Sequence, residues 1–122
     1  MVSDGGGSII NVSSIAAVEP RPTELVYACA KAGLNALTIG IARAYGPSVR
    51  ANTIMAGPFR TDISKAWDPA RFKSAAERDI PLKRAGEPSE IVGAALYLAT
   101  DASSFTSGAV VKVSGGMGFA AG

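Results

Sequence analysis

Three short apolar runs along the chain predict β-strands. They lie at residues 8–13, 49–56 and 109–114, and they are rich in Val, Ile and Ala. The first run, SIINVS, is β-branched and typical of a buried strand. Gly57-Pro58 follows the second run and Gly115-Gly116 follows the third, so turn residues end both.

A helical pattern fills two of the intervals between these strands. From Glu24 to Tyr45, Ala, Leu and Ile recur three and four residues apart without an internal Pro, and Gly46-Pro47 stops the pattern. A helix of this length would extend about 33 Å. A second helix is predicted from Glu87 to about Asp101, because Pro and acidic residues occupy its first turn, where the helix dipole favours them.

Two segments show neither pattern. Residues 1–7 are polar and Gly-rich, which predicts a flexible lead-in. Residues 58–86 are mixed and charged, with Trp67 and Phe72 among polar positions, which predicts short helices over a cleft. Trp67 fits two interpretations equally well, because a tryptophan here could line a pocket or cover the core.

The order of elements predicts the fold class. Strand, helix, strand, excursion, helix and strand in succession predict an α/β fold with a parallel sheet and right-handed crossovers. Three strands are few for such a sheet, which is usually covered on both faces and continued at both edges. We therefore expect a partial domain, part of a doubly wound sheet, within the 122 residues.

Composition and charge narrow the function classes. With 48% hydrophobic and 18% charged residues the chain is globular, and a net charge of +2 is too balanced to predict a nucleic-acid or anionic-membrane partner. Lys31, Asn35, Arg43 or Gly interrupts the longest apolar stretches, so no membrane span is predicted. Cys29 is the single cysteine, and without a visible signal peptide a reducing cytoplasm is the default location.

The chain has no histidine, which restricts its chemistry. Ser-His-Asp and Cys-His nucleophile systems and histidine metal sites are excluded. Tyr27 and Lys31 lie four residues apart on the predicted helix and share a face. A phenol has a pKa of about 10, and a nearby ammonium lowers it and makes the phenol a usable acid and base. Alone, the pair also fits a surface lysine that packs its stem against a tyrosine.

Ser14 follows the first strand, thirteen residues before Tyr27. Its hydroxyl could donate a hydrogen bond to a substrate oxygen while Tyr27 exchanges the proton, although an ordinary loop serine fits the same position. Cys29 lies about 200° around the helix from Tyr27 and is interpreted as a packing residue.

Five ordered blocks resemble the short-chain dehydrogenase/reductase family, in particular its 3-oxoacyl-acyl-carrier-protein reductase-like members. The first two are GSIINVSS at residues 7–14 and YACAKAGL at residues 27–34, with the family's spacing between the second serine and the tyrosine. The other three are RANTIMAG with Thr61, PLKRAGEPSEI at residues 81–91, and the segment 107–117. The similarity extends over about residues 5–118.

The resemblance implies the carboxyl-terminal half of a Rossmann-like domain that uses NAD or NADP to interconvert carbonyls and secondary alcohols. It implies that Ser14 orients the substrate oxygen and that Tyr27 is the general acid or base. Lys31 would lower the pKa of Tyr27 and bond the nicotinamide ribose. Gly57, Phe59 and Thr61 would join Tyr27 and Lys31 in contacting the cofactor. Residues 62–80 would form a substrate lid, and family members are homo-oligomers that act on small molecules.

The sequence also departs from the family pattern. Gly5-Gly6-Gly7 precedes a strand and does not open a helix, so the Gly-rich turn that binds pyrophosphate has no counterpart, nor has the family's catalytic Asn. Ala56 replaces a usual Pro, and Ser114 replaces a usual Asp. The alternative function is therefore a truncated, inactive remnant or a fragment that binds full-length subunits without cofactor.

Overall fold

A computed structural model describes residues 1–118 of the protein. Three strands and three α-helices lie along this part of the chain. They are β1 (Gly7–Ser14), α1 (Leu25–Tyr45), β2 (Val49–Ala56), α2 (Pro69–Asp79), α3 (Val92–Ala99) and β3 (Val110–Val113). This order confirms the predicted α/β class.

The strands form one parallel sheet in the order β1-β2-β3. In its register Gly7 lies opposite Val49, Ser14 opposite Ala56, and Ala56 opposite Val113 on its other side. The carboxyl ends of the three strands therefore meet at one edge of the sheet, and the loops that follow them are brought together there. Ligands of open α/β sheets bind at this carboxyl edge.

Helices cover both faces of the sheet. Asn11 Nδ2 donates to Thr38 Oγ1 of α1 at 2.9 Å, and Ser8 Oγ donates to the Leu98 carbonyl of α3 at 2.6 Å. Because Ser8 and Asn11 are an odd number of positions apart on β1, their side chains point to opposite faces. The core lies around the central strand, with Ile54 1% exposed and Leu98 of α3 fully buried.

Some element bounds differ from those predicted. Helix α1 begins at Leu25, after a 3-10 turn at Pro22–Glu24. The helix predicted from Glu87 to Asp101 is divided into a 3-10 turn at Pro88–Ile91, the α-helix α3 and a 3-10 turn at Asp101–Ser103. Within the segment predicted as a flexible lead-in, Val2–Asp4 form a 3-10 turn and Gly7 already pairs in β1.

One helical segment, Pro22–Tyr45, is long and apolar enough to cross a membrane, with a mean hydropathy of 1.4 over an 18-residue window. The polar residues that interrupt its apolar pattern therefore do not by themselves exclude such a segment. One such helix is weak evidence for a span, because the core helix of a soluble protein passes the same test. Of this 18-residue window, 11% is buried. Here Lys31 of α1 donates to the Val12 carbonyl of β1 at 3.0 Å.

The unpaired edge of β1 predicts self-association of the isolated chain. Within residues 1–118 no strand pairs with the outer side of β1, and no charged residue or Pro interrupts its sequence. Val12 is 51% exposed there and Val26 on α1 is 86% exposed. Unprotected edges and apolar faces favour association.

We expect light scattering on the 122-residue chain to give masses above that of the monomer, which rise with protein concentration. Val12→Lys, which places a charge beside the edge, should shift the distribution towards monomer. A monodisperse monomer that unfolds cooperatively would contradict this prediction.

Candidate functional site

Tyr27 and Lys31 lie together on the first turns of α1. Lys31 Nζ is 5.6 Å from the centroid of the Tyr27 ring, as expected for residues one helical turn apart. The lysine is also fixed to the sheet, since Nζ donates to the Val12 carbonyl at 3.0 Å and Ser13 Oγ donates to the Lys31 carbonyl at 3.3 Å. The side chain of Tyr27 is 48% exposed and can therefore meet a ligand.

Ser14 is the last residue of β1 and lies at the carboxyl edge of the sheet. Its Oγ accepts a hydrogen bond from the Ala16 amide at 3.1 Å, which caps the 3-10 turn Ile15–Ala17. This contact uses a lone pair of the hydroxyl and leaves its hydrogen able to donate. The local structural role of Ser14 is thus compatible with donation to a substrate oxygen.

Gly57 lies where the chain leaves β2 and passes close to β3. Its amide donates to the Val113 carbonyl at 2.9 Å, and a Cβ at this position would lie 2.7 Å from Ser114 Cα. Only glycine therefore allows the backbone at residues 57 and 114 to approach this closely. Ser114, which stands where the family usually has Asp, is part of this contact.

Phe59 and Thr61 continue the loop after β2. Phe59 forms an isolated parallel bridge with Gly86, whose amide donates to the Pro58 carbonyl at 3.0 Å. Thr61 is exposed and lines an open groove of about 710 Å³. The loop predicted to contact a cofactor is thus held against the segment that enters the last helix.

A second cavity, of about 340 Å³, lies beside the carboxyl edge of the sheet and beneath α2. Arg21 from the loop after β1, Pro58 from the loop after β2 and Met117 from the loop after β3 all line it. Trp67 and Phe72 form another part of its wall, with ring centroids 5.1 Å apart. Of the two interpretations of Trp67, the structure therefore favours the lining of a pocket.

Two exposed ion pairs lie at the end of α2 and in the segment that enters α3. Arg78 donates twice to the Asp79 carboxylate, at 2.8 and 2.9 Å, and these bonds hold the pKa of Asp79 below its usual range. Arg84 likewise contacts both oxygens of Glu90 at 2.9 Å and lowers the pKa of that carboxyl. Both carboxylates are exposed, so these pairs add little to the free energy of unfolding.

Arg50 and Asn52 of β2 support the site, although the sequence analysis gave them no role. The Arg50 guanidinium donates to Ser103 Oγ at 2.8 Å and to the Thr100 carbonyl at 3.2 Å, which holds the chain after α3. Asn52 is fully buried, donates to the Thr106 carbonyl at 3.0 Å and accepts from the Ala109 amide at 2.9 Å. Polar side chains within a buried strand were the available signal.

Comparison with known proteins shows the same fold and family. The family model for enoyl-(acyl carrier protein) reductase matches residues 1–118. The chain is 38% identical over 118 residues to the 3-oxoacyl-[acyl-carrier-protein] reductase FabG of Chlamydia trachomatis, covering 96% of this chain and 47% of that protein. It is 35% identical to a 7alpha-hydroxysteroid dehydrogenase of Clostridium sardiniense, covering 92% of this chain and 43% of that protein.

Solved structures agree. A putative gluconate dehydrogenase from Agrobacterium tumefaciens superposes with a TM-score of 0.90 at 34% identity, covering 96% of this chain and 47% of that one. A gluconate 5-dehydrogenase from Burkholderia cenocepacia, in complex with NADP and tartrate, gives a TM-score of 0.88 at 34% identity, covering 94% and 46%. The chain spans about half the length of these relatives.

Fold and comparisons together define a Rossmann-like α/β protein of an oxidoreductase class. The chain belongs to the short-chain dehydrogenase/reductase family.

Proposed function

We propose that this chain carries the proton-transferring half of an NAD(P)-dependent oxidoreductase that interconverts carbonyls and secondary alcohols. The observation that supports it best is the Tyr27 and Lys31 pair, 5.6 Å apart from ring centroid to Nζ and tied to the end of β1. The names of the relatives, a 3-oxoacyl reductase and a hydroxysteroid dehydrogenase, support the same reaction class.

Each residue of the proposed triad has a distinct task. Tyr27 gives the proton of its Oη to the carbonyl oxygen in reduction and takes it back in oxidation. Ser14 donates its free hydroxyl hydrogen to the same oxygen and orients it. Lys31 supplies a positive charge beside the phenol, and its ammonium keeps two hydrogens beyond the one given to Val12, which suits the hydroxyls of a ribose.

The described residues fit one end of the dinucleotide. Lys31, the close-packed turn at Gly57, the Phe59 backbone and the Thr61 hydroxyl suit its nicotinamide end, where the bound cofactor would supply or accept a hydride. In the part of the chain that the structure describes, no Gly-rich turn opens a helix to hold a pyrophosphate. Gly6 instead packs against the Ser48 carbonyl before β1, where a Cβ would clash.

The proposal extends to partners. We propose a small-molecule carbonyl or alcohol substrate, a cytoplasmic location and a homo-oligomeric enzyme, as the family resemblance implies. Neither nucleic acid nor a membrane is part of the proposal, and the net charge of +2 with a balanced distribution supports this choice. The apolar exposed face of α1 supports an assembly that covers it.

Cofactor binding and turnover test the proposal. We expect the full product of the gene that encodes this chain to oxidise NADH or NADPH in the presence of a 3-oxo or keto substrate. The isolated 122-residue chain should show no measurable NAD(P)H binding by fluorescence titration, because residues 1–118 contain no Gly-rich turn that opens a helix to hold a pyrophosphate. A gene product without NAD(P)H-dependent turnover over a broad carbonyl panel would instead support the inactive remnant or subunit-binding fragment.

A further inference from the structure

The cavity beneath α2 has the position and size of a small-molecule site. Loops that follow all three strands contribute to its wall, through Arg21, Pro58 and Met117. This is the edge of an α/β sheet at which ligands bind. Its volume of about 340 Å³ falls within the usual range of ligand pockets.

The walls of this cavity are mostly apolar and held in place. Ile80, which follows the last residue of α2, is 3% exposed and Ala76 is 7% exposed, so this part of the cavity wall is packed. The Leu82 amide donates to the Gly115 carbonyl at 3.0 Å, and a Cβ on Gly115 would lie 2.7 Å from Ile80 Cγ2. The chain after β3 is therefore pressed against the end of α2, and the pocket between them is largely formed before a ligand arrives.

Two charged side chains line the cavity, Asp79 and Arg21, and they differ in whether an ion pair already engages them. The Asp79 carboxylate is engaged by both hydrogen bonds from Arg78. Arg21 makes no ion pair within residues 1–118, and its backbone amide donates to Glu24 Oε1 at 3.3 Å. Its positive charge adds, after the hydrogen bonds from Arg78, to the lowering of the pKa of Asp79. The Arg21 guanidinium is thus the cation in this cavity wall that no carboxylate of residues 1–118 contacts directly.

We infer that the cavity selects substrates that join an apolar body to a carboxylate, with the apolar body against Trp67 and Phe72 and the carboxylate paired with Arg21. An arginine fork matches both oxygens of a carboxylate, which gives the pair a defined geometry. This inference rests on the proposed function for the reaction that the substrate undergoes. The binding preference itself does not depend on turnover.

Trp67 provides a direct readout, because it is the single tryptophan of the sequence and lines the cavity. Two probes of nearly equal shape, 4-phenylbutyrate and 4-phenylbutyramide, differ in charge. We expect 4-phenylbutyrate to change the Trp67 emission saturably and to bind about tenfold more tightly than the amide. In Arg21→Gln the two probes should bind equally, whereas Arg21→Lys should keep part of the preference.

Arg43→Gln is the matched control, because Arg43 is an exposed arginine on α1 that does not line the cavity. It should leave the tenfold preference unchanged. Three results would overturn the inference: no change of Trp67 emission with either probe, equal affinity of the parent chain for both, or a preference that persists in Arg21→Gln.

The titrations need neither NAD(P)H nor activity. A full gene product that prefers the carboxylate but shows no NAD(P)H-dependent turnover would therefore contradict the proposed function alone, and an active one without the preference would contradict this inference alone.

Discussion

Replacing Tyr27 with Phe in the active gene product is expected to lower kcat about 10²- to 10⁴-fold, the usual contribution of general acid–base catalysis. The substitution keeps the ring beside Lys31, whose Nζ lies 5.6 Å from the ring centroid, and removes only the hydroxyl that carries the proton. Because Tyr27 is 48% exposed, stability should change little. Initial rates of NAD(P)H oxidation at saturating carbonyl substrate measure the effect.

Tyr45→Phe is the control for this prediction. It makes the same chemical change at the other end of α1, where Tyr45 is 53% exposed. Its kcat should equal that of the parent, and circular dichroism should show the same helix content in both variants. Turnover by Tyr27→Phe at the parental rate would remove Tyr27 from the proton-transfer step and, with it, the proposed triad.

Local signals in the sequence were sufficient to place the main elements. Strand β2 has the predicted bounds because Gly46-Pro47 and Gly57-Pro58 stand on either side of it. Strand β3 is shorter than predicted, since the Ala109 amide donates to the Asn52 side chain and the regular ladder starts at Val110. Pairing between distant segments decided that boundary, and a single apolar run carries no information on it.

The end of α3 is also decided by contacts that its apolar pattern does not reveal. The apolar pattern continues to about Asp101, but Thr100 adopts φ −111° and ψ 173°, so the α-helix ends at Ala99. The Thr100 hydroxyl donates back to the Leu96 carbonyl at 2.9 Å, and the Arg50 guanidinium binds the Thr100 carbonyl at 3.2 Å. The Thr100 hydroxyl competes for a backbone carbonyl of the helix, and Arg50 of β2 binds the Thr100 carbonyl. Together these two contacts end the helix.

Part of the candidate site was likewise predictable from the sequence, and part of it was not. The proximity of Tyr27 and Lys31 was predictable, because a spacing of four on a helix fixes it. Arg21 was not singled out, since its importance depends on Trp67 and Met117, which reach the same cavity from distant parts of the chain. Residue type and local spacing thus predict the reactive pair, whereas the pocket that would select a substrate depends on tertiary packing.

The second large effect is expected on stability. Asn52→Leu should lower the free energy of unfolding by about 2 kcal/mol, because the Ala109 amide loses its acceptor, Oδ1 at 2.9 Å, at a cost of about 1–3 kcal/mol. The Thr106 carbonyl loses the Asn52 Nδ2 donor at 3.0 Å and keeps the bond from the Arg50 guanidinium at 3.3 Å. Leucine has a similar volume, so the change reports the hydrogen bonds. Urea unfolding of parent and variant under the same protein concentration measures it.

Asn35→Leu separates this effect from the general consequence of burying a leucine. The Oδ1 of Asn35 on α1 is buried and has no hydrogen-bond partner, so replacing it should be neutral or stabilising. Equal stability of the two variants would show that Asn52 does not hold the entry to β3.

The expected difference has a functional consequence, because β3 also positions Gly57, whose amide donates to the Val113 carbonyl at 2.9 Å. A loosened β3 would therefore displace the loop that carries Phe59 and Thr61, and in the active gene product Asn52→Leu should raise the KM for NAD(P)H even at temperatures where the variant remains folded.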